Sequence, residues 1–206
     1  MVESDVIAFE VFFDYTCPFV YRIARLLDGV RRTGKPDIRV GWRYFSLTQV
    51  NSKVEGWTVW DAPTSEKVRG RLAFQAAEAA RRQGRFEELH TALLDARHRD
   101  HLDLDEIEVV ERVAEDAGLE MDRMRRDLND PTTIEALARD HQHAVRDLGV
   151  FGTPTLVFED GTSAYVRLSD AVNGVPAPDL FERLVSVAGA EPRILEIKRP
   201  RRPLPA

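Results

Sequence analysis

The chain predicts an α/β fold carrying a large helical insertion, on three observations. It opens with a β-α-β pattern, it shows helical spacing and no strand pattern from about Ser65 to Leu148, and it closes with two short strands and a helix. The expected division is an α/β frame over residues 1–64 and 149–206, with an inserted helical domain over 65–148. At 206 residues the chain is long enough to bury a substantial core without metals or crosslinks.

Each element has its own signal. Val6 to Phe13 is a run of β-branched and aromatic residues, the pattern of a strand buried on both faces. From Phe19 to Val30 the apolar positions Val20, Ile23, Leu26, Leu27 and Val30 recur at helical spacing, and Gly34-Lys35-Pro36 stops that helix. Ile38 to Phe45 alternates as a second strand, separated from the first by a crossover long enough for parallel pairing. Inside the insertion, helices are expected over Val68 to Arg82 and Phe86 to Ala96. A third is capped by Asp103 with Glu106 completing an acidic capping box, and a fourth starts at Asp130-Pro131 and ends near Gly149. Thr155 to Phe158 and Ala164 to Leu168 read as a hairpin turning at Glu159-Asp160-Gly161-Thr162. Asp179 to Ala188 reads as the last helix, and the proline-rich basic tail from Ile197 as an extended end.

Composition narrows the function classes. With 29 Lys and Arg against 35 Asp and Glu, the net charge of −6 gives no pull toward nucleic acid or an anionic membrane, so neither is an expected partner. No apolar run approaches the ~20 residues that cross a bilayer, and the amino end lacks a secretory pattern, so a cytoplasmic setting is expected. Gly29, Gly34 and Gly41 form no phosphate-binding loop. His98 and His101 sit at i,i+3 but beside acids with helix-start roles, His141 and His143 fall on different helix faces, and no metal site is expected.

The single cysteine, Cys17, cannot form a disulfide within the chain, so its thiol is either inert packing or reacts with another molecule. Its place favours reaction. A sulfur at the first turn of a helix faces unpaired N–H groups and the positive end of the helix dipole, which favour thiolate and bring the thiol below its free pKa of ~8.5. Pro18 suits the first helical turn, where its missing N–H would have had no partner, and stiffens the presentation of the sulfur. Far downstream, Thr153-Pro154 opens a strand directly, a position where proline costs no ladder bond. Phe19, Tyr21 and Phe151 are candidate groove walls. Tyr21, with Trp57 and Trp60 at the start of the insertion, reads first as packing.

The stretch Phe13-Asp14-Tyr15-Thr16-Cys17-Pro18-Phe19-Val20-Tyr21, together with Gly152-Thr153-Pro154-Thr155, resembles the DsbA-like branch of the thioredoxin superfamily over roughly residues 6 to 188. The resemblance implies a thioredoxin fold with a helical insertion, a redox cysteine at Cys17, and a cis-proline loop at Thr153-Pro154 facing it. It also implies substrate contacts at Pro18, Phe19, Thr153 and Pro154. Where that family carries C-x-x-C, this chain has Val20, which removes the internal thiol that expels a bound substrate. What remains is monothiol chemistry on a small thiol or a disulfide-containing substrate. No tightly bound cofactor is expected, and a low-molecular-weight thiol such as glutathione acts as co-substrate and resolver. Two other readings share the architecture. One is a glutathione-dependent transferase or isomerase similar to the kappa-class and hydroxychromene-carboxylate-isomerase enzymes. The other is a peptide-binding module without redox turnover. The sequence leaves the oligomeric state open.

Overall fold

In a computed structural model, which describes residues 6–63, 66–169, 176–191 and 193–199, the chain folds around a four-stranded sheet. Strand β1 (Ile7–Phe13) pairs in parallel with β2 (Ile38–Tyr44), joined by the crossover helix α1 (Pro18–Thr33). The expected start of the insertion at Ser65 and the end of the tail lie outside the described residues. Between β2 and the return to the sheet come α2 (Leu47–Asn51), α3 (Arg71–Arg82), α4 (Phe86–His98), α5 (Ile107–Asp116), α6 (Met121–Leu128) and α7 (Pro131–Arg146). The chain then adds β3 (Thr155–Phe158), antiparallel to β1, followed by β4 (Ser163–Tyr165) and α8 (Ala177–Ala188). The order is β2-β1-β3-β4, which places β1 in the interior and its carboxyl end next to the start of α1.

The period of two along β1 sorts the core into two faces. Phe9, Val11 and Phe13 point to one side, where Val20, Ile23 and Leu27 of α1, Phe74 of α3, Leu89 of α4 and Phe181 of α8 join one apolar cluster. Phe12 points to the other, where it meets Phe45, Val157 and Ala144 of α7. Phe13 is fully buried and set edge-on to Tyr15, Trp42 and Phe74 at ring separations of 5.1 to 5.7 Å, a geometry that orients as well as buries the rings. This aromatic cluster anchors the sheet end that leads into Cys17.

Several elements depart from the expected boundaries. The third expected helix starts at Ile107 with Glu106 as its N-cap, not at Asp103. Asp103 Oδ1 instead accepts from the Asp105 N–H at 3.0 Å, closing a turn, while Lys67 donates to the Glu106 carboxylate at 2.8 Å. Both side chains are therefore committed elsewhere. β4 ends at Tyr165 rather than Leu168. The Val166 N–H still reaches the Pro154 carbonyl at 3.0 Å, but the Leu168 carbonyl is taken by Arg22 at 2.8 Å. Residues 197–199 of the tail are exposed and irregular.

Candidate active site

Cys17 is the N-cap of α1, with extended backbone (φ −90°, ψ 115°), and Pro18 is the first helical residue. The Cys17 side chain makes no capping bond; its Sγ–H donates across the fold to the Thr153 carbonyl at 3.3 Å. The Thr153–Pro154 bond is cis, and β3 starts directly after it. Helix α1 and the β3 start are thus brought together, 136 residues apart in sequence, because β1 pairs with β3.

The segment between β1 and α1 is held from three directions. The Cys17 N–H closes a turn on the Asp14 carbonyl at 3.1 Å. The Asp14 carboxylate, only 1% exposed, accepts from the Thr16 N–H and the Thr16 hydroxyl through Oδ1 and from the Leu47 N–H through Oδ2, all at 2.7 Å. Burial pushes this carboxyl above the ordinary range, with those three donors pulling it back down. From the insertion, His98 Nε2 donates to the Tyr15 carbonyl at 2.9 Å, and the Tyr15 hydroxyl lies 3.0 Å from His90 Nδ1. His90 is encased in aromatic side chains, and burial lowers its pKa to about 3, so it is neutral. Gly70 closes against the same loop: its φ of +80° suits glycine, and a Cβ there would come within 3.3 Å of Thr16 Cγ2.

Cys17 opens onto a cleft of about 550 Å³. Thr16 to Phe19 form its floor, Leu47, Thr48, Val50 and Asn51 of α2 one wall, and Phe151 to Thr153 the other, with Arg69, Tyr165 and Arg167 at the rim. The sulfur-bearing residue is 5% exposed and also belongs to the apolar core, so the thiol is presented from the base of the cleft rather than from its lip. Pro18 is exposed and Phe19 half-buried in that floor. Thr153 lines the cleft, whereas Pro154 is buried and outside the lining. Of the aromatic candidates, Phe151 lines the cleft and is 71% exposed, paired with Tyr165 at 5.2 Å. Tyr21 stacks on His98 instead, Trp60 lies against His141, and Trp57 and Trp60 flank a satellite cluster around Val59.

The α2 wall, Arg69, Tyr165 and Arg167 are site residues that sequence reasoning missed. For α2 a signal existed. Ser46-Leu47-Thr48-Gln49 fits the S-x-x-Q capping pattern, and Ser46 Oγ accepts from the Gln49 N–H at 3.1 Å. Among the described residues no group of three or more His, Cys, Asp or Glu is placed to hold a metal ion, and no helix is long and apolar enough to cross a membrane.

A buried thiol at a helix start, beside a cis-proline loop at the end of a central strand, can be compared with known proteins. A protein of Mycobacterium tuberculosis, described as uncharacterized, is 29% identical over 202 residues, covering 93% of this chain and 81% of its own length. Among solved structures, a probable DsbA oxidoreductase from Streptomyces coelicolor superposes with a TM-score of 0.63 at 20% identity, over 97% of this chain and 94% of the other. A thioredoxin-like oxidoreductase from Silicibacter pomeroyi gives 0.62 at 24% identity, over 87% and 84%. At these identities the structures share a fold with this chain. Residues 8–186 match the DSBA-like thioredoxin domain, and the chain belongs to that family.

Proposed function

We propose that the chain is a monothiol thiol–disulfide oxidoreductase working through Cys17, with glutathione or an equivalent low-molecular-weight thiol as external resolver. The observation that carries the reading is the Cys17 sulfur at the start of α1, at the base of a cleft and 3.3 Å from the Thr153 carbonyl. In the first step the thiol proton, which points at that carbonyl, passes to solvent. The sulfur then attacks one sulfur of a disulfide R–S–S–R, the S–S bond breaks, and R–S⁻ leaves as Cys17–S–S–R forms. In the second step an outside thiolate attacks the mixed disulfide, releasing Cys17 and a new disulfide. Val20, fully buried where a C-x-x-C pair would carry its second sulfur, supplies no internal resolver. The chemistry calls for no resident cofactor, and a reducing cytoplasm would supply the resolving thiol.

Thr16 is the hydroxyl nearest in sequence to the cysteine position, and it donates to Asp14 rather than into the cleft, which gives less support to a glutathione transferase or isomerase that leaves Cys17 idle. The test is Cys17→Ser in a glutathione-coupled assay on small disulfides, with intact-mass spectrometry of protein purified without reductant. The expected outcome is loss of turnover to background in the variant and a thiol adduct on Cys17 in the wild type. Full activity in Cys17→Ser would overturn the reading. Equal capture of a polypeptide by wild type and Cys17→Ala, with no mixed disulfide, would select the binding-module alternative.

A further inference from the structure

The charge of the cleft runs against the charge of the chain. The molecule carries a net −6, yet the only charged side chains among the described lining residues are Arg69 and Arg167. Several arginines elsewhere sit in ion pairs, such as Arg43 with Glu10 and Asp140 or Arg99 with Asp95 and Asp100. Among the described residues neither Arg69 nor Arg167 forms an ion pair, although the Arg69 charge is felt at the buried Asp14 carboxyl, which it pulls down. The acids behind Arg69 are occupied by main-chain donors: Asp14 by Thr16 and Leu47, Asp103 by Asp105, and Asp105 by the Gly70 N–H at 2.7 Å.

Arg167 is also held in place. Its guanidinium lies over the Phe19 ring at 4.0 Å, two residues along the chain from the sulfur. A cation held over a ring face in this way keeps its N–H groups available to a carboxylate. Arg69 is tied to the opposite wall through its carbonyl, which accepts from the Thr48 hydroxyl at 3.0 Å. On the loop facing Cys17, the Thr153 hydroxyl oxygen is buried with no hydrogen-bond partner among the described residues, a polar group left unmatched by the protein itself.

We propose that the cleft selects anionic partners, namely low-molecular-weight thiols and disulfides bearing carboxylates, through Arg69 and Arg167. This rests on the reading of Cys17 as the exchanging thiol. The probe step is Cys17–S⁻ attacking 5,5′-dithiobis(2-nitrobenzoate), with its S–S bond broken, thionitrobenzoate released and the other half left on Cys17. The neutral control is 4,4′-dithiodipyridine. Because the displacement itself spreads negative charge, nearby cations favour both reagents, so the readout is the ratio of the two rates divided by the same ratio for a free cysteine peptide.

For the full chain at low salt that normalised ratio is expected at about tenfold or more, falling toward unity at about 1 M salt as the field is screened. Arg69→Gln with Arg167→Gln should bring it to the peptide value, and Arg167→Lys, which keeps the charge, should retain most of the excess. A ratio near unity in the wild type, or variants that slow both reagents by one factor, would overturn the proposal. Reaction with neither reagent would overturn Cys17 as the exchanging thiol, and the proposal with it.

Discussion

Replacing Asp14 tests whether one buried carboxylate assembles the site. Two of its three donors are main-chain N–H groups, from Thr16 and Leu47, and both bonds are 2.7 Å long. In Asp14→Ala the Thr16 hydroxyl can rotate to another partner, but the two N–H groups, both half-buried, lose theirs. At about 1–3 kcal/mol for each orphaned donor, the variant should lose about 2–6 kcal/mol of stability, a large part of the 5–15 kcal/mol typical of a domain. Asp14→Asn keeps the shape and turns its oxygen to Thr16, so a single donor, Leu47 N–H, faces an NH₂ group. It also escapes the burial of a charge whose pKa is raised by desolvation, so its loss should be the smaller. Since Leu47 begins the α2 wall, the alanine variant should also loosen the cleft and speed alkylation of Cys17 by iodoacetamide under native conditions. Urea unfolding and alkylation rates are the assays. A loss below about 1 kcal/mol in Asp14→Ala, with an unchanged alkylation rate, would refute the assignment of Asp14 as the tie between loop and wall.

Acid sensitivity should trace to two buried histidines. Burial lowers His90 to about 3 and His141 to about 4, so as pH falls below 6.5 the unfolded chain takes up protons that the native state refuses. Their contribution is full above that pH and is lost on acidification, by about 1.4 kcal/mol per pH unit for each histidine between roughly pH 6 and 4. His141→Asn, whose amide oxygen can replace Nδ1 as acceptor for the Ser46 N–H, should remove half of that combined slope in urea unfolding at stepped pH; an unchanged slope would contradict it. Gly29→Ala should destabilise by about 1–3 kcal/mol despite alanine's better helix propensity, because its Cβ would fall 2.6 Å from the Ala177 Cβ where α1 meets α8; a raised Tm would contradict the packing.

Much of the frame was legible because its signals are local. The aromatic run of β1, the 3.6-residue spacing of α1, the Asp130-Pro131 start of α7 and the hairpin turn all read directly into elements. Cys17 was legible for the same reason, as a helix-start residue. The start of α5 was misread because a side chain that can cap a helix can equally close a turn, and Asp103 does the latter. The cleft was largely hidden, because its walls are a tertiary product. Arg69 and Arg167 are unremarkable in sequence, and only the pairing of β1 with β3 and the tie between Thr48 and Arg69 bring them around one sulfur. The buried Asp14 reads as an ordinary turn residue until its distant donor, Leu47, is in place.

The slight exposure of Cys17 dictates a trajectory. Displacement at a disulfide runs along a line of three sulfurs, and a residue with 5% of its surface open is met from the side of the cleft it lines. On the proposed exchange chemistry, a disulfide that projects ahead of its own molecule suits that approach better than one set within a rigid globule.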